Sequence, residues 1–440
     1  MKPPEEWILY LQAPTGRHKK HSAKMNPEPK NNQTLQVSLP LLTSDIDGVG
    51  GTIKTIPADF VVEEIPQYEF SGEGTHVYAF VQKKSMSTQD MMNLVARHVG
   101  IRTLDVGYAG RKDARAITRQ WISVEHIDPA KLAELESPKL KILDLTRHTN
   151  KLKVGHLKGN RFTIRLRNLN CPVQEAVPIA TEIMEILATK GVPNYFGPQR
   201  FGYRGDSGLL GHAVIKKDTQ DFFDVLLGKS ELFGDDEFTE ARQLYQQGLF
   251  EEAFYKWHSA FGDHRKALKT LIRLNGNTNR AFRQFDKRML RLFVAAWQSN
   301  LFNRVLAARM PDIDTILDGD MAYKHANGAS FCVEDAATEQ PRCDVFDISP
   351  TGPLIGNRMT RLTGLAGEIE KPLLDAADLT EDDYKRLTKF GGVGGRRPLR
   401  FKPERTKIAA AEDEHGDYLE LHFTLPSGCY ATVLLQEITK

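Results

Sequence analysis

One carboxylate stands among cations in Gly110-Arg111-Lys112-Asp113-Ala114-Arg115. An ionised Asp can serve as a nucleophile or as a general base, and basic neighbours suit it to a cleft that receives a polyanion. A cation within about 4–6 Å typically lowers a carboxylate pKa by 1–3 units, so Lys112 and Arg115 are expected to hold Asp113 ionised or to take flanking phosphates. Upstream, Leu104, Val106 and Tyr108 alternate with other residues, and from Ala116 through Thr118, Gln120 and 121–124 a strand-like run returns. Residues 110–115 are therefore expected as a loop between strands with Asp113 at its tip. An Asp in such a loop can equally do no more than close a turn by bonding nearby amides, and this segment alone leaves both readings open.

Three further segments narrow the choice: Lys158-Gly159-Asn160-Arg161-Phe162-Thr163-Ile164-Arg165-Leu166-Arg167, Pro193-Asn194-Tyr195-Phe196-Gly197-Pro198-Gln199-Arg200-Phe201-Gly202, and Leu425-Pro426-Ser427-Gly428-Cys429-Tyr430-Ala431-Thr432. With Asp59-Phe60-Val61-Val62-Glu63-Glu64, and in this chain order, they resemble the signature set of the TruD family of tRNA pseudouridine synthases, over about residues 47–438. The resemblance implies modification of tRNA at U13. Asp113 matches the family's catalytic Asp, expected as nucleophile with Lys112 as its charge support, and Phe60 matches a residue that contacts substrate. Tyr430 stands where close family members often have Phe.

Turning uridine into pseudouridine breaks the bond from uracil N1 to ribose C1′, turns the base and rejoins it through C5. No electrons or groups are gained, so no cofactor and no metal are expected. The base must first leave its stack at a cost of a few kcal/mol, and stacking on an aromatic ring, worth about 1–3 kcal/mol, can repay it. Tyr430 suits that role, although it also reads as a core aromatic with a bonded hydroxyl. Asn160 offers an amide donor and acceptor for a uracil edge. Phe162 is in phase with Ile164 and Leu166 and reads equally as core or as pocket wall.

The elements that must position these residues follow from pattern. With 440 residues, 40% hydrophobic and 26% charged, the chain has ordinary globular composition and room for two or three domains. Strands are expected at 51–56, 59–65 and 75–81, and a helix capped by Ser87 with an apolar stripe at Met91, Leu94, Val95 and Val99, closed by Gly100. Further helices are expected at 173–190, 240–257 and 286–310, then a strand at 418–425 that leads into a last helix. Strands at both ends of a helical middle give an α+β fold in which a largely helical α/β insertion interrupts a catalytic domain with a mixed or antiparallel sheet, the arrangement of the family. The expected boundaries are 1–43 for a mobile basic extension, 44–190 and 401–440 for the two parts of the catalytic domain, and 191–400 for the insertion. The glycines of 391–395 lack the Lys-Ser/Thr of a phosphate loop and are expected as a hinge between domains.

A net charge of +2 says little, but its distribution says more. Nine Lys or Arg residues face one acid, Asp286, over 265–291, and six face one, Glu404, over 396–407. Segregated charge suits a phosphate backbone, although either run alone reads as a solvated face. Arg115, Arg200, Arg396, Arg397 and Arg400 are expected to meet RNA backbone. Cys171, Cys332, Cys343 and Cys429 have neither metal-site nor disulfide spacing, and are expected as reduced core thiols of a cytoplasmic monomer whose partner is tRNA and which has no membrane span.

Two other functions compete. A catalytically idle RNA-binding or RNA-chaperone protein on the same fold has no need for an anion in a phosphate-rich cleft, which disfavours it given Asp113, Lys112 and Asn160. A metal-dependent phosphoryl-transfer or hydrolytic enzyme calls for a second carboxylate nearby, and none is closer in sequence than Asp105.

Overall fold

The computed structural model describes residues 39–202, 204–233 and 236–440, so most of the expected N-terminal extension lies outside the described residues. Its last residues are packed. Leu42 and Thr43 are buried, and the Glu437 carboxylate accepts from both of their backbone N–H groups and from Thr43 Oγ1 at 2.7–3.0 Å. An apolar side chain and a buried acceptor thus draw 42–43 into the domain, in place of the extension expected to reach residue 43.

Contacts divide the chain into two compact units, one of Leu41–Asn194 with Arg400–Lys440, the other containing Tyr195–Leu399. The first is built on a nine-stranded mixed sheet. Its strands are β1 (Gly50–Thr52), β2 (Phe60–Pro66), β3 (His76–Lys84), β4 (Gly107–Tyr108), β5 (Ile117–Glu125), β6 (Leu140–His148), β7 (Leu157–Leu169), β8 (Glu404–Asp413) and β9 (Gly416–Pro426). The order is β8-β9-β7-β2-β5-β3-β6, with β1 added to β7 and β4 to β5. The β2–β5 pair is parallel and the others are antiparallel. The period-2 alternation that marks a half-buried strand sets one buried face, with Val77, Ala79, Val81, Ile122 and Val124 packed against Met91, Met92, Val95 and Ala96 of the helix Thr88–Val99. That helix begins as expected, with Ser87 Oγ accepting from Asp90 N–H at 3.1 Å, and closes at Gly100. The helix Val173–Lys190 stops at Gly191, and Ala431–Thr439 is the last helix. The strand expected at 51–56 is shorter, because Lys54 turns into the left-handed region at φ 61 and Pro57–Asp59 forms a 3-10 turn.

The second unit is mostly helical, with a four-stranded antiparallel sheet of Ser330–Cys332, Met321–Lys324, Ile348–Leu354 and Gly395–Pro398 in that order. Phe222, Phe223, Trp257, Phe293 and Trp297 lie in its core. The helix expected at 240–257 is two, Thr239–Gln246 and Phe250–Lys256, broken at Gly248, whose φ of 80 no regular helix permits. The helix expected at 286–310 runs Lys287–Ala308, its N-terminus capped by the Asp286 carboxylate, which accepts from Arg288 N–H at 2.7 Å. The glycine cluster is not a hinge at a boundary. It lies inside this unit and crosses Gly356 so closely that a Cβ on Gly356 would meet Gly392 O and Gly394 N at 2.5 Å each. Of the four cysteines, Cys343 is buried but Cys332 is exposed on the edge strand Ser330–Cys332, contrary to the expectation of core thiols.

Candidate active site

Residues 110–116 form the expected loop between β4 and β5, and its backbone is fastened at four residues. Gln120 Nε2 donates to Gly110 O at 3.2 Å, and Lys112 N–H donates to Thr88 Oγ1 at 2.9 Å. Ser85 N–H donates to Ala116 O at 3.2 Å. Lys83, fully buried at 0% exposure, donates from Nζ to the carbonyls of Met86 and Asp113 at 2.7 Å each and of Lys112 at 3.4 Å. Burial pulls the Lys83 ammonium down to about 8, partly offset by the attraction of Asp113.

The Asp113 carboxylate remains accessible, with its side chain 40% exposed, and accepts from Lys54 Nζ at 3.0 Å. Its cation therefore comes from 59 residues upstream and not from Lys112. Lys112 Nζ instead bonds Glu64 Oε2 at 2.6 Å in a buried ion pair. Glu64 sits buried in the sheet, where an unpaired carboxylate would be costly, and burial pushes its carboxyl up against the pull of Lys112. Glu64 Oε1 also accepts from Trp121 N–H at 3.3 Å. Arg115 is exposed on the same loop.

Around this pair the sheet gathers the aromatic and amide residues of the motifs. The Lys54 ammonium lies 4.2 Å from the centroid of the Phe60 ring. Phe60 meets Phe162 edge-on with centroids 6.2 Å apart, and Phe162 stacks on Phe423 at 5.3 Å. Phe60 and Phe162 are both buried. Asn160 is paired in register with Glu64 on β2 and with Leu425 on β9, and its Oδ1 is buried with no hydrogen-bond partner. The turn after β9 leaves from the same end of β7, where Ser427 N–H donates to Lys158 O at 3.1 Å, and it delivers the half-buried Tyr430 at the N-cap of the last helix.

Lys54, Glu64 and Lys83 complete the site although pattern reading did not single them out. Two of them carried a signal. Lys83 is in strand phase with Val77, Ala79 and Val81, and Glu64 with Phe60 and Val62, so each places a charge where an apolar residue belongs. Lys54 carried no local pattern.

A family model described as tRNA pseudouridine synthase D (TruD) matches residues 36–438. The chain belongs to the TruD family. Among curated relatives, a TruD-family protein from Geobacter metallireducens named tRNA pseudouridine synthase D is 42% identical over 399 residues, covering 91% of this chain and 97% of the relative. One of the same name from Anaeromyxobacter dehalogenans is 33% identical over 407 residues, covering 91% and 96%. A solved structure bearing that name, from Methanosarcina mazei, superimposes with a TM-score of 0.77 at 26% identity, covering 91% of this chain and 96% of its own.

The arginines expected from the sequence to meet RNA backbone are placed unevenly. Arg396 is buried in an ion pair with Glu370 at 2.9 Å and donates to Thr351 O and Oγ1 at 2.7 and 3.0 Å. Arg400 is also fully buried and donates to Lys190 O at 2.7 Å. Neither guanidinium is available to a phosphate, because strand pairing turns each inward, and both leave the expected set. Arg397 and Arg200 are half-buried with their guanidinium groups 4.4 and 5.3 Å from the Phe196 ring centroid. By contrast, Lys266, Lys269, Arg273, Arg280, Arg283, Lys287, Arg288 and Arg291 are all exposed. Among the described residues no helix is long and apolar enough to cross a membrane.

Proposed function

We propose that this protein isomerises uridine 13 of tRNA to pseudouridine, with Asp113 as the reacting carboxylate and the target base flipped out of its stack. The observation that carries this reading is the Lys54–Asp113 pair, an accessible carboxylate whose ammonium partner rests on the Phe60 ring. An ion pair with one open side gives the carboxylate a fixed cation partner and still lets it reach a sugar or base. In the reaction the N1–C1′ bond breaks and a C5–C1′ bond forms. The proton displaced from C5 is lost and N1 gains one, so the product is an isomer. Asp113 acts either as the nucleophile that traps the sugar or base, or as the base that removes a sugar proton.

The unpartnered Asn160 Oδ1 supports a role for that amide at the uracil edge, since a buried polar atom without a partner is rare unless a ligand completes it. Tyr430 would stack on the flipped base, and Phe60 and Phe162 would form the apolar floor. Phosphate contacts fall to Arg115 and to the exposed cations of 266–291. Asp113→Asn keeps the shape and removes the charge. Pseudouridine formation on unmodified tRNA should vanish while RNA affinity persists, and turnover near the parental rate would overturn the assignment.

A further inference from the structure

We propose that Lys83 is a positioning residue for the isomerisation, its ammonium fixing the main chain of residues 112–113 and so the direction in which the Asp113 carboxylate points. This inference rests on Asp113 being the reacting group.

Lys83 occupies a strand position whose neighbours in phase, Val77, Ala79 and Val81, are all core residues. An ammonium there is expensive to desolvate, and a Val or Ile would fill the site without that cost. The hydrogen bonds explain its presence: its three protons meet three carbonyls, those of Met86, Lys112 and Asp113. Two of these belong to the loop. The third immediately precedes Ser87, the cap of the helix whose first residue, Thr88, takes the Lys112 N–H. Lys83 therefore ties the reactive loop to the start of a helix that is itself anchored in the core by Met91, Met92, Val95 and Ala96.

The two halves of Asp113 are held separately. Lys54 engages the carboxylate at 3.0 Å and Lys83 the carbonyl at 2.7 Å. A loop fixed at its side chain alone could pivot about the ion pair. With the carbonyl also fixed, the Cα–Cβ direction is set before RNA arrives. Misplacing a reacting group by about 1 Å can cost 10²-fold in rate, so removing the second grip should act on chemistry rather than on binding.

The test compares Lys83→Met, which keeps the volume and loses the donors, with Lys83→Gln, which keeps a shorter neutral donor. Single-turnover rates of pseudouridine formation at saturating enzyme and dissociation constants for unmodified tRNA are measured on both, with melting curves and hydrogen exchange over 110–116. The expected result is a rate about 10- to 100-fold below the parent for Met, a smaller loss for Gln, tRNA affinity within about twofold, and faster exchange confined to the loop. Should Met not fold, the Gln variant decides by the same split. A folded variant with parental rate, or with rate and affinity falling together, overturns the proposal. Asp113→Asn serves as the control: if it is inactive while Lys83→Met is fully active, only this inference fails, whereas an active Asp113→Asn removes the reading beneath it.

Discussion

The two basic runs, 265–291 and 396–407, look alike as strings, yet the structure uses them in opposite ways. The first falls on helices Gly262–Arg273 and Thr278–Phe282 and on the start of Lys287–Ala308, where an amphipathic pattern turns Ala267, Leu268, Leu271, Ala281 and Leu290 inward and leaves eight cations outside. The second falls on strands and turns, where alternate residues face opposite ways, and the Arg396 side chain and the whole of Arg400 end up buried. A charge run therefore describes a surface only once the period of its element is known. Arg265 is the exception within the first run: its Nη1 donates to the carbonyls of Phe254 and Trp257 at 3.0 and 2.7 Å, and its guanidinium lies 4.1 Å from the centroid of the Phe254 ring.

The contrast can be broken by substitution. Arg396→Met should have the largest effect, about 3–5 kcal/mol of stability, because it leaves Glu370 buried without its cation. Denaturant unfolding measures it, and a loss under about 1 kcal/mol would mean that Arg396 is not the buried partner described. Arg265→Ala should cost about 1.5–3 kcal/mol through the lost charged hydrogen bonds, with tRNA affinity nearly unchanged in the folded protein. If affinity drops and stability holds, Arg265 belongs with its exposed neighbours. Reversing Lys266, Lys269 and Arg273 to Glu together should leave each site's stability within about 0.5 kcal/mol. It should weaken tRNA binding by about tenfold at moderate salt and flatten the salt dependence. Unchanged binding across a salt titration would leave the helical run a merely solvated face.

Much of this was legible in the sequence. The helices Thr88–Val99 and Val173–Lys190 carried their caps and stops in plain view, at Ser87, Gly100 and Gly191. The loop around Asp113 was bracketed by alternation on both sides. The partners of that loop were harder to see, since a side chain's neighbour in sequence need not be its neighbour in space. Lys112 and Asp113 are adjacent, yet their charges find Glu64 and Lys54 respectively. Only the pairing of β2 with β7 and β5, and the left-handed turn at Lys54, settle which cation meets which anion. The same limit explains Arg396, whose acid, Glu370, lies on a separate helix.

The placement of β9 has a consequence during synthesis. It pairs with β7 along Gly159 to Leu166, yet roughly 250 residues separate the end of one strand from the start of the other. At typical translation rates that delay lasts on the order of 10–50 s, and throughout it a long strand in the middle of the finished sheet offers an unsatisfied edge. Such an edge is a template for pairing with another chain. A nascent polypeptide halted before Gly416 thus carries a sticky half-sheet, and yield in the cell should depend on how quickly the ribosome delivers the β8–β9 hairpin.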